Sequence, residues 1–320
     1  SLISVHASSE QILIPSEETK IDMFPMDYEE FCWALGDTAT VPLLRNAFEQ
    51  RLPLGNAIHR RLMRDFRLYM LVGGMPQAVA EYIKTNNLGS VDAVKRDIIS
   101  LYMEDLYKLH PSGKASILYK FIPAQLSKNA SRYQAGSVIE GEKADRAADI
   151  VKVMASSMTI NVAYHSNDPN VGLALTADYE RYKLYTSDTG LFITLAFWDK
   201  DFTENVIYTK LLSDKLSANL GYVYENMIAQ MLRTTGKELY YHTIPQLGGK
   251  KYYEIDFILS DRFKVSPIEA KSSGYKSHAS LDEFCKKYSE RIQNKYMITT
   301  KDMCKDGDVS MLPIYMTMFL

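Results

Sequence analysis

Lys251 to Ser273 reads KYYEIDFILSDRFKVSPIEAKSS, and everything around this stretch is ordered by how it is read. Tyr253, Ile255, Phe257 and Leu259 alternate with Glu254, Asp256 and Ser260, the period-two signature of a strand with one apolar face. Asp256 is therefore expected to point away from the apolar set. After a polar turn at Ser260, Asp261 and Arg262, a second strand is expected from Val265 to Lys271, with Ile268 and Ala270 on one face and Glu269 and Lys271 on the other. Pairing the two strands would gather Asp256, Glu269 and Lys271. Two carboxylates are hard oxygen ligands for Mg²⁺, and an ammonium beside them can orient a water or offset charge developing on phosphate. Acid and lysine also alternate on the wet face of many hairpins, so spacing alone does not select the chemistry.

Upstream, Leu216 to Arg233 reads LSANLGYVYENMIAQMLR, a helix by its spacing. Glu225, Ile228, Ala229 and Leu232 fall at i, i+3, i+4 and i+7, a stripe that is apolar except at its head. A carboxylate bordering a buried stripe costs free energy unless a partner satisfies it, so a metal or a lysine is expected near Glu225.

Glu225 on a helix, Asp256 on a strand and the Glu269-Ala270-Lys271 triplet on the next strand resemble the PD-(D/E)XK nuclease superfamily. The longer run of GYVYENMIAQML, LYYH, YEIDFIL, PIEAKSS and LPIYM resembles the C-terminal domain, of unknown function, of a large bacterial and archaeal group of AAA-type ATP-binding proteins. In that group a P-loop ATPase core is followed by a winged-helix region and then by the nuclease-like domain. The resemblance implies that Asp256 and Glu269 hold Mg²⁺, that Lys271 positions the attacking water, and that Glu225 completes or supports the ligand shell. It also implies that ATP is bound only in an upstream core that this chain lacks.

Composition bounds the remaining choices. With 46% apolar and 24% charged residues the chain is an ordinary globular one, and 320 residues suit two or three domains. A net charge of −2 excludes a generally basic nucleic-acid binder but leaves room for a local basic patch. Cys32, Cys285 and Cys304 are far apart and show no zinc-ligand spacing, so a reducing cytoplasm is expected. No apolar run approaches the length of a membrane span, and no signal-peptide pattern opens the chain.

Taken in order, residues 1–28 resemble the end of the AAA-type core. Residues 29–113 read as a helical region. Within it Gly73-Gly74-Met75-Pro76 should end one helix and open the next, and Arg60, Arg61, Arg64 and Arg67 form a basic stripe. Residues 114–200 read as a winged helix. ILYKFIPAQLSK is its first helix, KADRAADIVKVMASSM its second, with Lys143, Arg146 and Lys152 against Asp145 and Asp149, and TINVAYHS and RYKLYTSDTGLFITLAFW are extended. Residues 201–320 form the nuclease-like domain, with strands at 238–244, at KYMITT and at the terminal PIYMTMFL, and with Lys286, Lys287 and Tyr288 at a place some relatives use near the site.

Neither Ser112-Gly113-Lys114-Ala115 nor Gly248-Gly249-Lys250-Lys251 satisfies a P-loop. His242 and His278 lack ligand spacing. The expected architecture is α+β and multidomain, a helical region and winged helix leading into a restriction-endonuclease-like mixed sheet. The expected function is Mg²⁺-dependent cleavage of nucleic acid; the alternative is a non-catalytic module that docks DNA or a protein partner.

Overall fold

The structure is a computed structural model that describes residues 21–141, 144–200, 208, 211–213, 221–246, 248, 251–261, 263–272 and 277–320. Residues 1–20, the larger part of the segment likened to the end of an ATPase core, lie outside these. Asp27 opens helix α1 (Tyr28–Ala34) with a capping box: Asp27 Oδ1 accepts from Glu30 N at 2.8 Å, and Glu30 Oε2 accepts from Asp27 N at 2.9 Å. Helices α2 (Thr40–Gln50), α3 (Asn56–Val72), α4 (Pro76–Thr85) and α5 (Leu88–Leu109) follow. The break between α3 and α4 falls at the Gly-Gly-Met-Pro turn, with Pro76 at the first helical position as expected.

The basic stripe on α3 does not form one solvated face. Arg67 is buried, while Arg61 and Arg64 lie 3.9 and 3.6 Å from Asp65.

The expected first helix of the winged unit is two short ones, α6 (Lys114–Lys120) and α7 (Ile122–Ser127). Pro123 lacks the N–H that a continuous helix needs there and fits only the first turn of a new one. The expected second helix is α8 (Ala144–Ser156), whose Ala147, Ile150, Val151 and Met154 are buried. Strands β1 (Ile160–Ser166) and β2 (Ala177–Thr186) pair antiparallel. The run expected to stay extended to Trp198 instead turns into helix α9 (Thr189–Ala196), because Asp188 caps it by accepting from Leu191 N at 2.8 Å.

Beyond these lie α10 (Gly221–Thr234), β3 (Leu239–Pro245), β4 (Tyr252–Asp261), β5 (Lys264–Lys271), α11 (Ala279–Lys287), β6 (Tyr296–Thr299), β7 (Cys304–Asp306) and β8 (Val309–Pro313). The eight strands among the described residues form one mixed sheet in the order β2-β1-β3-β4-β5-β6-β8-β7. The two strands read as a wing are thus one edge of the main sheet, since β1 runs parallel to β3. No boundary at residue 200 divides the sheet.

The last stretch is not a strand. Ile314–Phe319 is a 3₁₀ helix in which Ile314 to Thr317 are all buried, packed against α2 and α10 rather than added to the sheet. It tucks Tyr315 against α3, where Tyr315 Oη lies 2.8 Å from His59 Nδ1.

The expected single apolar face of β4 is also corrected. Ile255 and Ile258 belong to a core with Leu281 and Phe284 of α11, whereas Phe257 and Leu259 belong to the larger core shared with α10. Apolar packing on both faces makes the middle of the sheet hydrophobic throughout, as in sheets sandwiched by helices. No helix among the described residues is long and apolar enough to cross a membrane.

The N-terminus of α9 packs on the α3–α4 turn through a close approach that only glycine permits. Gly74 N donates to Asp188 Oδ2, and a Cβ on Gly190 would lie 2.6 Å from Gly73 Cα and 2.7 Å from Gly73 N. Backbone atoms cannot step aside, so Gly190→Ala is expected to lower unfolding stability by about 3 kcal/mol in urea titrations.

A second prediction concerns His165 and His242, buried and stacked with ring centres 5.3 Å apart. Burial lowers each to about 4 from an ordinary value of 6.5. The unfolded chain then binds protons that the folded one refuses. Their contribution is complete above pH 6.5 and is lost as pH falls toward 4. The urea midpoint should drop between pH 7 and 5, and a His165→Gln/His242→Gln variant should show a flatter dependence.

Candidate active site

The β4–β5 hairpin forms as its alternation predicts, and the structure adds one detail that aims Asp256. Between β3 and β4 the register slips: Tyr240 opposes Ile258 while His242 opposes Ile255, so β4 carries one extra residue across this step. Asp256 sits within the extra step. Such a bulge turns a side chain out of the regular pleat. Its Oδ2 accepts from Ala270 N at 2.7 Å, which fixes the carboxylate beside the Glu269-Ala270-Lys271 triplet.

Glu269 and Lys271 meet directly, Lys271 Nζ lying 2.7 Å from Glu269 Oε1. Glu269 is buried, yet its second oxygen, Oε2, has no hydrogen-bond partner among the described residues. Lys271 remains 32% exposed. A cavity of about 690 Å³ is lined by Glu225, Glu254, Asp256 and Glu269 together with Lys183, Lys251 and Lys271. All four residues singled out from the sequence therefore converge.

Glu225 reaches this cavity from α10, whose Ile228, Ala229 and Leu232 are buried as the stripe requires. Its partner is a lysine that the sequence pattern does not single out. Lys183 of β2, only 5% exposed, donates to Glu225 Oε1 at 2.9 Å and to Glu254 Oε1 at 2.5 Å, and Tyr185 Oη donates to the same Glu225 oxygen at 2.7 Å. Burial works against the Lys183 ammonium, but the carboxylates of Glu225 and Glu254 outweigh it and hold its pKa well above the ordinary lysine value. Asp256 is pushed well above the carboxylate range, first by burial and then by the nearby Glu225 charge.

The neighbouring turn of α10 anchors the helix. Asn226 Oδ1 accepts from Thr186 N at 2.9 Å, and Gln230 Oε1 accepts from Thr189 N at 2.7 Å.

One local signal points to a residue that spacing overlooks: Glu254 stands two places before Asp256 on the same strand, whereas Lys183 follows Glu180 and Arg181 in a mixed polar run that does not single it out.

Other positions are not brought in. Lys286 and Lys287 are exposed on α11 and do not line the cavity, while Tyr288 is buried with its Oη 3.2 Å from His242 Nε2. Lys143 and the Asp145 side chain lie outside what is described; Lys152 pairs with Asp149 at 3.4 Å. Gly113 is a left-handed cap before α6. His278 lies 2.9 Å from Asp282. All three cysteines are free.

Removing one member of a buried ion pair leaves the other charges without compensation, at a typical cost of about 3–5 kcal/mol. Lys183→Met is expected to lose stability on that scale by urea denaturation. Adding Glu225→Gln and Glu254→Gln should recover much of the loss, and failure to recover it would show that Lys183 acts through packing.

Residues 63–201 match the family described as Domain of unknown function (DUF8612), and residues 220–316 match Domain of unknown function (DUF4143). No curated protein and no solved structure matches the chain. Glu225, Glu254, Asp256, Glu269 and Lys271 belong to the second matched segment and Lys183 and Tyr185 to the first, so the cavity is assembled from both.

Proposed function

We propose that the acidic cavity hydrolyses phosphodiester bonds of nucleic acid with the help of Mg²⁺. The observation that carries this reading is the convergence of Asp256, Glu269 and Lys271 on one open cavity, with Glu269 Oε2 buried and unpartnered. Among the described residues no group of three or more His, Cys, Asp or Glu is set closely enough to hold a metal ion by itself. Mg²⁺ does not require such a group, because it is usually held by one or two carboxylates and completes its shell with water and phosphate oxygens. Asp256 and Glu269 meet that demand, and the free Glu269 oxygen is a ligand atom in search of a cation.

Bound there, Mg²⁺ would supply positive charge beside the phosphodiester. Lys271, anchored to Glu269, donates to the attacking water or to a phosphate oxygen as negative charge grows. Water adds to phosphorus, one P–O ester bond breaks, and the leaving oxygen gains a proton. Glu225 completes or supports the ligand shell: Lys183 and Tyr185 both donate to its Oε1, which fixes the carboxylate and leaves Oε2 as the oxygen that could face the metal.

The second matched family is often found in ATPase-associated proteins, which supports an AAA-type parent with ATP bound outside this chain. The free cysteines accord with a cytoplasmic setting.

One observation favours the alternative of a non-catalytic docking module. Lys183 neutralises two of the carboxylates from within, and a cluster closed on its own lysine can serve structure alone. Calorimetry with Mg²⁺ and a nicking assay on plasmid and single-stranded substrates separate the two readings. The hydrolytic reading expects Asp256→Ala to lose metal binding and cutting together. Lys271→Ala should keep metal binding and lose about 100-fold or more in cutting rate. No binding at millimolar Mg²⁺, with both variants behaving like the parent, hands the site to the docking reading.

A further inference from the structure

Beside the acidic cavity lies a second one of about 560 Å³, and its chemistry is opposite. Arg132 and Arg181 line it together with Gln134, Thr243 and Tyr252, and no acidic side chain among the described residues does. Arg181 stands two places before Lys183 on β2, so the strand that sends a lysine to the acidic site also sends an arginine to this one. The Arg181 guanidinium is held by a hydrogen bond from Nη2 to Thr243 Oγ1 at 3.2 Å. Thr243 is in turn the register partner of Glu254 on β4. Arg132 is exposed, on the loop after α7.

The two cavities share Ser131 and Tyr252 in their walls. Tyr252, 52% exposed, therefore stands on the ridge between a basic hollow and the acidic one.

We infer that these hollows form one track for single-stranded nucleic acid: Arg132 and Arg181 take a backbone phosphate, Tyr252 stacks a base, and the next phosphodiester is delivered to the acidic cavity. The inference rests on the proposed hydrolysis for the role of the second hollow, but the track itself is a binding claim.

Each element matches a requirement of such a strand. Guanidinium groups bind phosphate as a planar fork, and an aromatic face stacks any base without reading its sequence. Both volumes fall in the roughly 300–1,000 Å³ range of small-molecule pockets, which is room for a nucleotide unit. Duplex DNA is stiff over about 150 base pairs and cannot dip into two adjoining hollows without deformation, whereas a single strand turns at every linkage. The acidic hollow repels phosphate until its charge is offset, so initial capture falls to the arginines and needs no metal.

The test is fluorescence anisotropy of a labelled thymidine homopolymer of about 20 nucleotides, and of a duplex of the same length, with the full chain in EDTA at low salt. Cutting in Mg²⁺ is measured alongside. Single strand should bind more tightly than duplex. Arg132→Ala/Arg181→Ala should weaken it about tenfold or more and lower the salt slope by about 0.7, the single-strand value for the one phosphate charge no longer neutralised. Tyr252→Ala should weaken binding about tenfold, with Tyr252→Phe restoring it.

Equal affinity for both forms, no binding of single strand, or an arginine variant that binds like the parent overturns the track. Should cutting nonetheless occur and fall with Asp256→Ala, the hydrolytic reading survives without it. The expected binding pattern with no cutting in Mg²⁺ keeps the track and removes hydrolysis.

Discussion

A single ammonium group joins the parts of this molecule that matter for its site. Lys183 extends from β2 at one edge of the sheet and is gripped by Glu225 of α10 and Glu254 of β4, so one buried cation bonds an edge strand, a covering helix and a central strand. Burying a charge is expensive, and the expense is tolerable only while the partners stay in place. The arrangement therefore fixes the position of α10 over the sheet. Tyr185 adds a second donor to Glu225, and Asn226 and Gln230 fasten the next turns of the helix to backbone N–H groups of Thr186 and Thr189. A fold whose helix placement depends on buried polar bonds is specific in a way that apolar contact alone is not. Both matched families contribute atoms to this joint, so neither segment holds the cavity without the other.

The sheet supplies the rest of the geometry. β4 is central, with β3 on one side and β5 on the other, and an extra residue in β4 sits where Asp256 must leave the regular pleat. Its carboxylate then caps the backbone N–H of Ala270 and lies level with the acid and lysine that flank that alanine. Beyond the extra residue the strand is packed on both faces, with Ile258 on one core and Phe257 on the other. A polar site placed at this transition has a dry, rigid floor on one side and an open mouth on the other.

What is legible in the sequence is what lies close together along it. The hairpin and the gathering of Asp256, Glu269 and Lys271 follow from period-two alternation within some twenty residues, though Ser260 and Asp261, expected in the turn, are still paired in the strands, opposite Val265 and Lys264. Glu225 stands out by helical spacing, and its need for a partner is equally local, but the identity of that partner is not. Lys183 lies on a strand whose neighbour, β1, pairs in parallel with β3, and no local pattern reports a parallel pairing across so long a separation. The same long-range pairing hides the fact that the strands of the expected wing belong to the main sheet. Two elements absent from the sequence reading do carry local signals: Asp188 before Thr189-Gly190 caps α9, and Asp306-Gly307 turns β7 into β8, with Gly307 at a φ of 58°. The buried 3₁₀ turn at Ile314 has none, since an apolar run that short reads equally as strand.

The net charge of −2 argues against a general affinity for nucleic acid, yet the charge that matters is the charge within reach of a phosphate. A site that is to hold a divalent cation must collect carboxylates, and those carboxylates repel the substrate the cation is meant to serve. The conflict is resolved by separation. Here β2 presents Arg181 to one hollow and, two residues on, Lys183 to the other, while Thr243 and Glu254, opposed in register, lie on the corresponding sides. The division between basic and acidic chemistry is thus set by strand register, and a slip of one residue between β3 and β4 would move the side chains to the wrong faces. The bulge beside Tyr241 has the complementary effect: the register that keeps Thr243 opposite Glu254 on one side of it also turns Asp256 toward the Glu269 triplet on the other.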